Sequence, residues 1–197
     1  MKTDYQLILA SASPRRKELL AGLNIPFEVR LIDGIDETYP SELPIDEVPL
    51  YISQKKAAAY KANVSPQTIV LTADTVVVCN EQILGKPIDE ADARRILQML
   101  SGKTHRVITG VTLLVEGNSK SFSVATDVTF KPLSAAEIDY YIRTFKPFDK
   151  AGAYGIQEWI GYIGVTAING SYFNVMGLPV QRIYEELRTL GINIFLQ

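Results

Sequence analysis

Twelve residues, Thr68 to Cys79, form an apolar, β-branched run that a single carboxylate interrupts. The run is too short to span a bilayer and rich in Val, Ile and Thr, so it reads as a central strand. On such a strand Thr72, Asp74, Val76 and Val78 share one face, and Thr75, Val77 and Cys79 the other. A carboxylate in that setting is costly unless a cation or a metal compensates it. Two readings follow. Asp74 forms a buried ion pair, with Lys86 of the nearby turn Gly85-Lys-Pro87 as its partner, or it binds metal or accepts a proton at a functional cleft.

A second segment points the same way. The apolar stretch Leu7-Ile-Leu-Ala10 runs directly into Ser11-Ala-Ser-Pro-Arg-Arg16, and a helical pattern follows from Lys17. Ser13 suits a helix cap and Pro14 the first helical position, where a missing N–H costs nothing. Two hydroxyls, free backbone N–H groups and the Arg15/Arg16 pair then gather at a strand-to-helix turn. A helix N-terminus favours negative charge and an arginine fork matches two phosphate oxygens, so the turn reads as a polyanion cradle.

The chain has 197 residues, 47% of them hydrophobic, and a formal net charge of −2. That size predicts one domain, or two lobes sharing a core, and that charge argues against a stable nucleic-acid complex. Cys79 is the only cysteine, which excludes an intrachain disulfide and fits a reducing, cytoplasmic setting. No stretch is apolar enough for a signal peptide or a membrane span.

Strands are predicted at 6–10, 27–31 and 68–79, and as a long hairpin over 104–115 and 119–130 turning at Glu116-Gly-Asn118. A further strand is predicted at 159–168. Helices are predicted at 14–23, 46–62, 89–100 and 179–190. Ser134-Ala-Ala-Glu137 is a capping box opening another helix to about Phe145. Strands and helices mix without strict alternation, which predicts an α/β fold with a mixed, curved sheet and flanking helices. The loop 33–45 is long enough to suspect function and contains Glu37. Asp74 and Glu37 with Lys56 and Lys86 supply carboxylates for a divalent ion and cations for phosphates, the parts a nucleotide hydrolase needs.

Other motifs lead nowhere. Gly102-Lys-Thr104 mimics the end of a phosphate-binding loop, but the required first glycine falls at Leu97, so it reads as a helix stop before a strand. His105 is the sole histidine, which excludes multi-histidine metal sites, and it reads as structural. Cys79 reads as core.

Four segments in order, Ser11–Arg16, Ala73-Asp-Thr-Val-Val77, Gly85-Lys-Pro87 and Asp149-Lys-Ala-Gly-Ala-Tyr-Gly-Ile-Gln157, resemble the Maf family of nucleotide pyrophosphatases. Ile168–Tyr172 and Gly177-Leu-Pro179 extend the match. The resemblance implies a Maf-type fold related to inosine-triphosphate pyrophosphatase, with a cleft between two lobes. It also implies hydrolysis of a nucleoside triphosphate to monophosphate and pyrophosphate, with a divalent metal cation (Mg, Mn or Co) on Asp74 and Glu37. By the same resemblance Asp74 is the catalytic residue, Ser11, Ser13, Arg15 and Arg16 grip phosphate, and Glu37, Lys56 and Lys86 complete the polar site. The ending Gly155-Ile-Gln157 resembles the dTTP/UTP branch, in which Arg15, Thr75 and Gln157 match the base-selecting positions. A carboxamide offers one donor and one acceptor, complementary to N3–H and a carbonyl of uracil or thymine. A homodimer is the family expectation. The alternatives are a 7-methyl-GTP pyrophosphatase and a nucleotide-binding regulator of cell division.

Overall fold

A computed structural model describes residues 5–62 and 64–191. Its strands are β1 (Gln6–Leu9), β2 (Phe27–Val29), β3 (Thr68–Cys79), β4 (Gln82–Leu84), β5 (Thr104–Val115), β6 (Asn118–Phe130) and β7 (Val165–Asn169). They form one seven-stranded sheet in the order β2-β1-β3-β5-β6-β7, with β4 on β3. The sheet is mixed: β1 pairs in parallel with β2 and β3, whereas β3–β4 and β6–β7 are antiparallel. The helices are α1 (Pro14–Ala21), α2 (Val48–Ala58), α3 (Glu90–Leu100), α4 (Ala135–Phe145), α5 (Trp159–Gly164), α6 (Tyr172–Met176) and α7 (Val180–Thr189). The α/β class with a mixed sheet and flanking helices is as predicted.

The chain divides into two compact units. The first takes the residues up to Asp74, Thr109–Val124 and those from Gly177 onward; the second takes Thr75–Ile108 and Ala125–Met176. In the first, β1 is flanked by parallel strands, and Leu7, Ile8 and Leu9 are all buried. That explains its unbroken apolar sequence, which an exposed face would have interrupted with polar residues. Helix α2 lies tight on β5 at Gly110, where a Cβ would fall 2.3 Å from the Leu50 nitrogen. Its register is set by hydroxyls. Thr72 Oγ1 donates to the Ser53 carbonyl at 2.7 Å, and Ser53 and Thr112 share a 2.9 Å hydroxyl pair.

The second unit is built on Val77, Leu97, Leu100, Val107, Phe130 and Tyr141 and their neighbours. Asp89 caps α3 by accepting from the Asp92 amide at 2.7 Å. Ser134 and Glu137 form the predicted capping box of α4, at 3.2 and 2.7 Å. Glu116 and Gly117 both have positive φ (50° and 78°), as a two-residue hairpin turn with the twist of its strands requires. One expectation fails. Residues 159–168 are not a strand throughout: α5 takes Trp159–Gly164 and β7 only the remainder. Gly161 permits the helix, because a Cβ there would fall 1.8 Å from the Ile156 carbonyl oxygen.

Candidate active site

In the first unit, strand–helix register makes the site. Thr72 and Asp74 lie two apart on one face of β3; Ser53 and Lys56 lie three apart on one face of α2. The bond from Thr72 to Ser53 therefore carries Lys56 to Asp74, where Nζ and Oδ1 stand 3.0 Å apart. Side-chain exposures of 14% and 16% make this a largely buried pair. The sequence offered Lys86 as the cation on Asp74, and the structure corrects this to Lys56. Chain proximity favoured Lys86; helix packing decides for Lys56.

Lys56 also meets Glu37 Oε1 at 3.1 Å. The adjacent Lys55 goes elsewhere, to Asp36 Oδ2 and the Thr38 carbonyl, both at 2.8 Å. Asp36 in turn accepts from the Thr38 amide and hydroxyl. Two neighbouring lysines thus lace the loop to α2: Lys56 meets Glu37, and Lys55 the residues on either side of it. Those bonds hold the Asp36 carboxyl far below the usual carboxylate range, the Lys55 hydrogen bond being the largest cause.

At the strand-to-helix turn, Ser13 Oγ caps α1 by accepting from the Arg16 amide at 3.4 Å. Ser11 Oγ accepts from the Ser13 amide at 3.3 Å and from Arg16 Nη1 at 3.4 Å. Arg16 differs from the symmetric arginine pair that the sequence suggested. Its Nε donates to the Gly177 carbonyl and its Nη1 to the Ala73 carbonyl, each at 2.9 Å. Arg16 thereby ties α1 to the residue before Asp74 and to the segment that opens α7. Burial pushes its basicity down and Asp74 opposes that shift. Arg15 is half-buried beside it. In the sequence the clamp on Gly177 leaves no trace beyond the motif Gly177-Leu-Pro179.

A divalent cation can be tested against these residues. Asp74 and Glu37 converge on one point, the Lys56 ammonium, and present hard oxygen donors. Among the described residues no group of three or more His, Cys, Asp or Glu could hold a metal. Two carboxylates fit magnesium-like ions that take their remaining ligands from water and substrate phosphates, and do not fit a self-sufficient protein cage.

The second unit contains Thr75, Lys86 and Gln157. Thr75 is half-buried on β3, and Lys86 is exposed in its turn. Gly152 joins these segments: its amide donates to the Gly85 carbonyl at 3.1 Å, and a Cβ on it would fall 2.9 Å from Val77 Cγ2. Gln157 is half-buried, and its Oε1 is buried with no hydrogen-bond partner among the described residues. An orphan acceptor of that kind costs stability unless something completes it. His105 and Cys79 are buried, as expected; His105 Nε2 pairs with the Tyr154 hydroxyl at 2.7 Å.

The model of the Maf-like protein family matches residues 6–190. The chain belongs to the Maf-like family. Its Maf-like relatives include a dTTP/UTP pyrophosphatase of Phocaeicola vulgatus, 61% identical over 94% of this chain and 96% of the relative. Proteins named dTTP/UTP pyrophosphatase from Bacteroides fragilis and Parabacteroides distasonis are 50% and 52% identical, covering 94% and 93% of this chain and 96% and 95% of their own. A solved dITP/XTP pyrophosphatase from Mycobacterium abscessus overlaps 66% of this Maf-like chain and 76% of its own, at 11% identity and a TM-score of 0.41. No helix among the described residues is long and apolar enough to cross a membrane.

Proposed function

We propose that this protein hydrolyses dTTP and UTP to the nucleoside monophosphate and pyrophosphate. One observation carries the reading: Asp74, buried on its strand against Lys56, in a chain 61% identical to a relative named for that activity. In the reaction the oxygen of a water bonds to the α-phosphorus and the bond to the bridging oxygen breaks. Pyrophosphate leaves and one proton is released.

Asp74 is the catalytic carboxylate that acts on the attacking water. Lys56 holds it in place, and Glu37 holds Lys56. Arg15, Lys86 and the Ser11–Ser13 turn at the N-terminus of α1 take the phosphates, where cations and amides stabilise the charge on the leaving group. Arg16 secures the turn through the Gly177 and Ala73 carbonyls. Arg15, Thr75 and Gln157 select the base, Gln157 by offering an amide to the pyrimidine edge. A divalent ion held by Asp74 and Glu37 would neutralise phosphate charge and polarise the reacting centre. A homodimer in the cytoplasm completes the proposal.

A pyrophosphate-release assay over a panel of nucleoside triphosphates tests it. We expect dTTP and UTP to lead, with monophosphate and pyrophosphate as products and no turnover in excess chelator. Orthophosphate as the first product, or a purine preference, would overturn the substrate assignment. Full activity in chelator would remove the metal and leave the rest standing.

A further inference from the structure

We propose that Tyr141, Glu158 and Lys150 are positioning residues that set base selectivity by clasping the turn that presents Gln157. The proposal deepens the base-reading role of Gln157 proposed above and rests on it. The Glu158 amide donates to the Gly155 carbonyl at 3.0 Å, which closes a four-residue turn with Ile156 and Gln157 at its centre. Both ends of that turn are bound by one hydroxyl. Tyr141 Oη accepts from the Gly155 amide at 3.0 Å and donates to Glu158 Oε2. The other oxygen of Glu158 meets Lys150 Nζ at 3.1 Å, and Lys150, only 8% exposed, belongs to the segment leading into the turn.

The fit leaves no slack. A Cβ on Gly155 would fall 2.9 Å from Glu158 Cδ, so a larger residue there would push the Glu158 side chain away from its partners. Ile156 is buried in the core, and the Tyr141 ring stacks on Phe145. Of the four turn residues, Gln157 alone has a buried side-chain polar atom without a partner among the described residues, its Oε1. A lysine, a glutamate and a tyrosine are thus committed to holding one amide still. Site-building groups of this kind act by keeping a reading residue within a fraction of an ångström of its working position.

The test compares kcat/KM for dTTP, UTP and GTP in the unmutated enzyme, Tyr141→Phe, Glu158→Gln, Gln157→Ala and the Tyr141→Phe/Gln157→Ala double variant, with Tm measured for each. Tyr141→Phe keeps the ring and removes the clasp. It should lower kcat/KM for dTTP and UTP by about 10-fold, mainly through KM, and leave GTP within about 2-fold. In the Gln157→Ala background it should add no further loss of selectivity, because the residue it positions is gone. Glu158→Gln keeps an acceptor for Tyr141 and loses only the ion pair, for a loss of about 3-fold in the same direction. If Tyr141→Phe does not fold, Glu158→Gln decides alone. Equal losses on all three substrates, or none, while Gln157→Ala erases the pyrimidine preference, would overturn the clasp and spare the Gln157 reading. A preference that survives Gln157→Ala would overturn both.

Discussion

The two units build their proposed functional residues by opposite means. In the first, Glu37, Lys56 and Asp74 come from a loop, a helix and a strand, and charge joins them once the fold has brought them close. In the second, Gln157 sits in a turn of four consecutive residues, clasped by Tyr141 and braced by the Lys150–Glu158 pair. A charge cluster assembled over long sequence distances is a device for chemistry, since each member changes the field at the reacting atoms. A local turn with one amide oxygen unpaired among the described residues is a device for discrimination, since mismatched partners leave its polar atoms unsatisfied. Mutations in the Glu37–Lys56–Asp74 cluster should stop turnover on every substrate, and mutations in the Gln157 turn should re-rank the substrates.

The largest effect belongs to the strand carboxylate. Asp74→Asn keeps shape and volume and removes the charge, so it should cost at least ~10²-fold in kcat for every triphosphate while the circular dichroism spectrum is unchanged. A variant within a few-fold of the unmutated enzyme would break the assignment. Next comes Gln157→Glu, which removes a donor and sets a charge against the carbonyls of uracil or thymine. It should lower kcat/KM for dTTP and UTP by about 10- to 100-fold and affect poor purine substrates far less. Steady-state kinetics on the purified variant decide it, and uniform losses would make Gln157 a structural residue.

The comparison also shows what a sequence can carry. Local features were legible: the Ser13-Pro14 start of α1, the Ser134–Glu137 capping box, the β5–β6 hairpin and the buried run of β3 with its one carboxylate. Each is set by neighbours in the chain. The partner of Asp74 was not legible, because the register of α2 on β3 depends on Ser53, Thr72 and the close approach at Gly110, which only packing reveals. The same holds for Arg16, whose bonds to the Ala73 and Gly177 carbonyls span 57 and 161 residues. Helix α5 was missed for a different reason. Trp-Ile-Gly-Tyr-Ile-Gly has the apolar content of a strand, and the helix exists because Gly161 can pack on the Ile156 carbonyl.

Adjacent lysines sharpen the contrast between buried and exposed charge within the first unit. Lys56→Met leaves the largely buried Asp74 without its cation, and should cost about 2 kcal/mol of stability along with activity. Lys55→Met removes a partner from Asp36, whose side chain is 62% exposed, and should leave Tm within error of the unmutated protein. Thermal denaturation of the two variants side by side is the measurement. Equal shifts would mean that burial does not distinguish the pairs.

The smallest effect concerns the neutral core of the second unit. His105 is buried between Phe130 and Tyr154, edge-on to both rings. Its Nδ1 has no hydrogen-bond partner among the described residues, so a proton placed there would have no acceptor. Burial accordingly pulls its pKa from 6.5 to about 4, with Asp127 opposing. The unfolded chain then binds a proton at higher pH than the folded one, so stability is full above pH 6.5 and falls as the pH drops towards 4. Between pH 7 and 5.5 the loss should be about 1 kcal/mol. Carboxylates held low by their partners, such as Glu137 at about 2 beside Lys131, begin to weigh only below their ordinary value of 4.5. The interval from 6.5 to 5 therefore isolates the histidine. Urea denaturation across it should show the slope in the unmutated protein and a flat line in His105→Gln, whatever that variant costs at pH 7. The same slope in both would mean that another group titrates there.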